Sequence, residues 1–246
     1  MAIINSINNF RVAQWTKLKD KAHRDKQKLF MAEGYHLALE AHKTNHLKEI
    51  ITTEPNKPFD FDVPTYQVTP DVMQRLSSMA TPTKIIGICH KTESASYGDS
   101  ILLVDQVHHP GNLGTIIRSA VAFNVDTVVT NNSVDVYNHK VIQASQGMIF
   151  HINVLKKPIV PFVLELKDKG YQIIGTDVKE CVSLNAVKVT GKRAVLVGNE
   201  GEGLGRELLN MCDVRVTIEM NEKCESLNVG VATSIVLYSL NGYLAN

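Results

Sequence analysis

Hydrophobic and polar positions fall into two textures along the chain, which change near residue 95. In the first, a helical stretch at 10–28 precedes a second amphipathic segment at 30–41. Short β-type runs come next, at 47–52, 65–68 and 85–89, with a short helix at 71–78. Prolines at 55, 58, 64, 70 and 82 keep these elements short. The small, polar stretch 92–100 reads as a linker, placing one domain at 1–95 and another at 96–246. Beyond it, apolar β-runs at 101–104, 127–130, 152–155, 172–175, 194–197 and 214–218 alternate with helical patterns. The helices fall at 113–123, 139–148, 160–169, 204–211 and 227–244. Short β-runs spaced by helices predict an α/β fold with a mostly parallel sheet covered on both faces.

Composition changes this picture little. Hydrophobic residues make up 44% and charged ones 21%, which is ordinary globular usage. A net charge of +1 gives no overall attraction to a polyanion, so any such partner must be read from local patches. One patch stands out: 10–28 carries seven basic residues against Asp20 and Asp25. The four cysteines lie far apart with no C-x-x-C pair, which argues against a metal site and favours reduced, buried thiols. Met1-Ala2-Ile3-Ile4-Asn5 has neither the basic nor the apolar region of an export signal. No apolar run approaches the roughly 18 residues of a membrane span. A cytoplasmic protein with no membrane partner is expected.

Ligands of such sheets bind at the carboxyl ends of strands, and three loops there are unusual. After 101–104 comes Asp105-Gln106-Val107-His108-His109-Pro110-Gly111-Asn112-Leu113-Gly114, in which Asn112 stands near a helix start where Asn caps exposed amides. Arg118 is the one basic residue on that apolar helix: either a solvent-facing residue or a planar cation for phosphate or carboxylate. After 194–197, Gly198-Asn199-Glu200-Gly201-Glu202-Gly203-Leu204-Gly205 places four glycines in eight residues, as a close backbone approach requires. Neither G-x-x-x-x-G-K-[ST] nor G-x-G-x-x-G is present, and Glu200 and Glu202 would repel phosphate, so a cationic or neutral ligand fits better. In the third loop, Ser226 or Asn228 suits the N-cap of the last helix, and Gly230, Ala232, Thr233 and Ser234 allow it to pack closely.

Together these loops resemble, in order, the three signature motifs of the SpoU (TrmH-type) RNA methyltransferases. Asn112-Leu113-Gly114-Thr115-Ile116-Ile117-Arg118 is similar to the first, Gly198-Asn199-Glu200-Gly201-Glu202-Gly203-Leu204 to the second, and Ser226-Leu227-Asn228-Val229-Gly230-Val231-Ala232 to the third. The likeness covers about residues 100 to 246. Phe30-Met31-Ala32-Glu33-Gly34, followed by Glu40-Ala41, resembles the ribosomal-protein-like RNA-binding domain that some members carry. His109 departs from the pattern where Asp commonly precedes the Pro, and Gln143 where Arg is common; both are expected to touch substrate preference or local hydrogen bonding.

The resemblance implies a parallel sheet closed by a deep trefoil knot, behind a small α/β RNA-binding domain. It implies a homodimer and an S-adenosylmethionine-dependent 2′-O-methylation of RNA, with ribosomal RNA favoured over transfer RNA. Carried over, Gly198, Ile218 and Leu227, with Thr176, hold the cofactor, while Asn112, Arg118, Glu200, Ser226 and Asn228 line the reacting ribose. Because guanidinium is essentially never deprotonated, Arg118 is expected to grip phosphate or the ribose oxygen, the proton leaving through water or Glu200. Lys17, Lys19, Lys21 and Arg24 are the candidate RNA grip, against the alternative of a solvated charged helix. A non-catalytic RNA-binding or ribosome-assembly factor of the same fold is the competing class. An oxidoreductase is disfavoured by the missing dinucleotide fingerprint.

Overall fold

The computed structural model describes residues 3–54, 61–91, 96–177, 181–187, 189, 191–199 and 201–240. The chain forms two compact units: Met1–Thr92 with Tyr137–Phe150, and Glu93–Val136 with His151–Asn246. Among the described residues no helix is long and apolar enough to cross a membrane.

In the first unit the basic stretch is two helices rather than one, α1 (Phe10–Lys17) and α2 (Lys21–Gln27). Asp20 breaks it: its backbone is extended and its carboxylate accepts from His23 N at 3.1 Å, starting a new helix. The segment expected as amphipathic also splits, into strand β1 (Leu29–Glu33) and helix α3 (Tyr35–Lys43). Phe30, Met31, Ala32 and Glu33 are buried one after another, as in a strand covered on both faces. Gly34, at φ 110°, makes the corner between strand and helix. Then follow β2 (Leu47–Thr52), β3 (Thr65–Gln67), α4 (Pro70–Leu76) and β4 (Ile85–His90), close to where the pattern places them. The sheet order is β1-β4-β2-β3, with β4 antiparallel to β1 and β2 and β3 parallel to β2. Val12 and Trp15 of α1 pack with Leu76 of α4 against Ile86 and Ile88, while Ala38 of α3 lies by Gly87 on the opposite face.

The second unit opens with β5 (Ser100–Asp105), α5 (Pro110–Ala122) and β6 (Thr127–Asn131). Helix α6 (His139–Ser145) belongs with the first unit, because Tyr137 and Phe150 pack on Phe30 with ring centroids 4.7 and 5.6 Å apart. It ends short of the expected 148, where Gln146 turns left-handed at φ 52°. After it come β7 (Asn153–Lys156), α7 (Ile159–Asp168), β8 (Gln172–Thr176), an unanticipated β9 (Val182–Ser183) and β10 (Arg193–Val197). Last are α8 (Arg206–Met211), β11 (Val214–Thr217) and α9 (Val229–Leu240).

The seven strands order as β7-β6-β5-β10-β8-β11-β9, and every pairing is parallel. Leu103 and Leu196 face Phe162 and Leu166 of α7, while their neighbours Leu102, Val104 and Val195 point the other way and are buried too. The parallel α/β architecture read from the sequence is the one observed. On α9 the small residues bring that helix close to α5: Ser119 Oγ and Ser234 Oγ lie 2.6 Å apart, and Gly230 faces Thr115.

Candidate functional site

At the carboxyl ends of the adjacent strands β10, β8 and β11 lies a cavity of about 340 Å³. Thr176 ends β8, Gly198 follows β10, Ile218 follows β11, and Leu227 and Ser226 precede α9; all five line it. Val216, Ala232 and Val236 add apolar wall, and Asp177, Glu202 and Glu225 add carboxylates. A Cβ on residue 198 would lie 2.2 Å from Gly203 O, so only glycine lets the loop fold back on the strand end.

Asn199 organises that loop. Its backbone exchanges two 3.0 Å hydrogen bonds with Gly203, and its Oδ1 accepts from Gly201 N at 2.8 Å and Glu202 N at 3.2 Å. Its Nδ2 donates to Gln106 O at 3.1 Å, tying the β10 loop to the β5 loop. Asn199 was not among the expected site residues; the signal for it is an Asn two residues before a glycine, the mark of an Asx turn. Thr176 Oγ1 donates to Leu196 O at 3.1 Å, so its proton is held inside the sheet.

A second group surrounds the start of α9. Asn228 Oδ1 accepts from Gly230 N at 3.0 Å and Val231 N at 3.3 Å, making Asn228, not Ser226, the cap. Its Nδ2 donates to Asn112 Oδ1 at 2.9 Å. Asn112 does not cap α5; it is the third residue of that helix, with His109 at the N-cap position and Pro110 first. Arg118 is exposed on α5, and among the described residues no hydrogen bond or ion pair holds its guanidinium. Asn112, Arg118 and Asn228 are not part of the cavity wall, although Leu227 and Val229, either side of Asn228, are. Glu200 lies outside the described residues. Gln143 Nε2 donates to Glu33 O at 2.7 Å, so this departure from the family pattern makes a local hydrogen bond within the first unit.

The four basic residues expected to grip RNA divide in the first unit. Lys17 and Lys21 are exposed, Lys21 paired with Asp25. Lys19 Nζ instead donates to Arg75 O at 2.9 Å and Ser77 O at 2.7 Å, and partial burial lowers its pKa. Arg24 is only 7% exposed, its Nη1 donating to Leu18 O at 3.0 Å and Lys19 O at 2.8 Å. Lys19 and Arg24 thus hold the α1–α2 corner and the end of α4.

Residues 99–238 match the SpoU rRNA Methylase family, and residues 9–87 match an MRM3-like substrate binding domain. The chain is 35% identical to the 23S rRNA (guanosine(2553)-2′-O)-methyltransferase RlmP of Bacillus subtilis, over 98% of this chain and 100% of that protein. Among solved structures, an AdoMet-bound rRNA methyltransferase from Sinorhizobium meliloti superimposes with a TM-score of 0.85 at 25% identity, covering 97% of this chain and 96% of the other. An RNA 2′-O ribose methyltransferase superimposes with a TM-score of 0.81, also at 25% identity, covering 97% of each chain. With the family match over 99–238 and a relative aligned over its full length, the chain belongs to the SpoU rRNA methylase family.

Proposed function

We propose that this protein transfers a methyl group from S-adenosylmethionine to a ribose 2′-hydroxyl of ribosomal RNA. The cavity at the ends of β8, β10 and β11 carries the reading. Its volume of about 340 Å³ lies within the range of small-molecule sites. Val216, Leu227 and Val236 suit a purine ring, and Gly198 lets backbone approach it. Asp177, Glu202 and Glu225 suit a ligand bearing sulfonium and ammonium charges and disfavour a polyphosphate. When bound, the cofactor supplies an electrophilic methyl on sulfur.

The chain's own residues hold the acceptor. Arg118, permanently cationic, grips an RNA phosphate or stabilises the ribose oxygen as its charge grows. Asn112 and Asn228, already bonded amide to amide, offer their remaining donors and acceptors to the ribose. Holding nucleophile and methyl in line supplies much of the rate.

Residues 1–95 are proposed to bind the RNA substrate and 96–246 to catalyse. The relative from Bacillus subtilis, which spans both parts and is named for 23S rRNA, supports ribosomal over transfer RNA and hence a cytoplasmic location. A trefoil knot is proposed for the C-terminal segment: α9 returns from β11 to pack against α5, and its start lines the same cavity as Gly198. A homodimer is supported by Val231, Ile235 and Tyr238, which form an exposed apolar stripe on α9.

Purified protein incubated with methyl-labelled S-adenosylmethionine and ribosomal RNA lacking host modifications tests the reaction. A labelled 2′-O-methyl nucleoside, lost with Arg118→Ala, is expected. Cofactor binding with no transfer to any RNA would move the protein to the non-catalytic assembly-factor class.

A further inference from the structure

Phe10 is the most exposed large apolar side chain among the described residues, at 76%. It is no frayed end. It is the first residue of α1, where Asn9 Oδ1 accepts from Arg11 N at 2.9 Å and Asn9 O accepts from Ala13 N at 3.0 Å. At 100° per residue, Phe10, Gln14 and Lys17 share one face of α1, opposite the buried Val12 and Trp15. Over about 10 Å of helix that face runs from aromatic ring to amide to ammonium. Gln14 and Lys17 are exposed, and among the described residues neither makes a side-chain hydrogen bond or ion pair. Beside it, the Arg11 guanidinium lies 4.5 Å from the centroid of the Tyr66 ring.

Charge selects the occupant. Of the seven basic residues in 10–28, Lys19 and Arg24 are bonded to backbone carbonyls and Lys21 pairs with Asp25. Lys17 on this face and Lys26 on α2 are exposed and complement a polyanion. An aromatic ring next to cations is what an unpaired base and its phosphates require, whereas a duplex keeps its bases stacked away from protein rings. We propose that the Phe10–Gln14–Lys17 face of α1 is a stacking platform for an unpaired base, so the RNA substrate presents a single-stranded or bulged stretch to the first unit. The inference rests on the RNA-methyltransferase reading above. Phe10 stacks, Gln14 hydrogen-bonds a base edge or sugar, and Lys17 meets a phosphate.

The test uses the full chain and three labelled probes read by fluorescence anisotropy: a 12-nucleotide oligouridine, an abasic ribose-phosphate strand of equal length, and a duplex. Phe10→Ala is expected to weaken oligouridine binding about tenfold, on the scale of one stacked base, and to leave the abasic strand and the duplex unchanged. Phe10→Trp should restore it. Lys17→Ala should weaken the oligouridine and the abasic strand alike and lower the salt slope by about 0.7. Equal losses for Phe10→Ala on oligouridine and abasic strand, or none on either, would overturn the platform. So would absent binding by the wild type, or a Phe10→Ala change in oligomeric state with RNA affinity intact, which would assign the face to a second copy. Methyl transfer separates this from the parent reading: a wild type that binds oligouridine through Phe10 but methylates no RNA refutes the reaction and leaves the platform standing.

Discussion

Replacing Asn228 probes the cap and the site with one side chain. Alanine there removes two bonds to backbone amides and the 2.9 Å bond to Asn112. Losing a helix cap costs about 1 kcal/mol, and losing a side-chain hydrogen bond costs about as much again. Asn228→Ala should therefore destabilise the second unit by about 2 kcal/mol and lower its melting temperature by roughly 4–8 °C. Asn228→Asp keeps the cap acceptor and adds a negative charge at a helix N-terminus, while Asn112 turns its own amide to donate. Its stability should stay within about 0.5 kcal/mol of the wild type. If Asn228 also contacts the ribose, the aspartate protein will melt normally yet lose kcat. A cycle with Asn112→Ala should show a coupling of about 1 kcal/mol, since the two side chains share one bond. Thermal unfolding by calorimetry, with hydrogen exchange read at the amides of α9, measures all of this. An alanine variant that melts with the wild type, or an aspartate variant that melts as low as the alanine one, would refute the capping role.

Other outcomes follow from the same geometry. Gly198→Ala places a Cβ 2.2 Å from Gly203 O, which is backbone and must shift. Calorimetric affinity for S-adenosylmethionine should fall at least about tenfold, the scale of a small disruption in a fitted site. Gly205→Ala, whose Cβ would meet nothing within 4 Å, should bind normally. Under N-ethylmaleimide at neutral pH, peptide mapping should find exposed Cys224 modified first. Cys212, its thiol pushed up to about 11 by burial, should lag, and Cys89, buried and pushed further, should react only on unfolding. Hydrogen bonds from Lys21 and then Lys91 hold the Asp25 carboxyl at about 2, below its unfolded value. Its contribution is therefore present above about pH 4 and lost as pH falls toward 2, so Asp25→Asn should flatten that limb of the melting curve slightly, Asp25 being half exposed. Parallel acid limbs for the two proteins would contradict it.

What the sequence makes legible is what local pattern encodes. Leu102-Leu103-Val104 reads as a strand because a parallel strand buried on both faces leaves an unbroken apolar run between turns. The same rule applies to β1, but there five residues between a basic helix and an amphipathic one also fit a helical spacing, and burial decides the matter only in three dimensions. Two-residue β9 is too short to leave any period. Gly198 and a cap at Ser226 or Asn228 are readable because each answers a backbone need within a few residues; the structure decides the cap for Asn228. The bond from Asn228 to Asn112 spans 116 positions, and the packing of Phe30 with Tyr137 and Phe150 spans over a hundred, so no window along the chain contains either.

Arg24 shows the limit most sharply. Counted along the chain, it is one more cation in a run that suits RNA. In space, the last carbonyls of α1 need donors once the helix stops, and Arg24 supplies Leu18 and Lys19 while Lys19 supplies Arg75 and Ser77. A buried guanidinium bonded to carbonyls cannot also reach a phosphate. Aspartate 20, by breaking the stretch into two helices, creates the corner that Arg24 closes, and so decides which cations of the run stay on the surface. Arg11, Lys17, Lys21, Lys26 and Lys28 stay exposed. Arg11 lies over Tyr66 and Lys21 pairs with Asp25, so the helical cations the fold does not use are Lys17 and Lys26, with Phe10 at the start of the first helix. The RNA face proposed for this unit is therefore set less by how many positive charges the stretch holds than by which of them the fold does not need for itself.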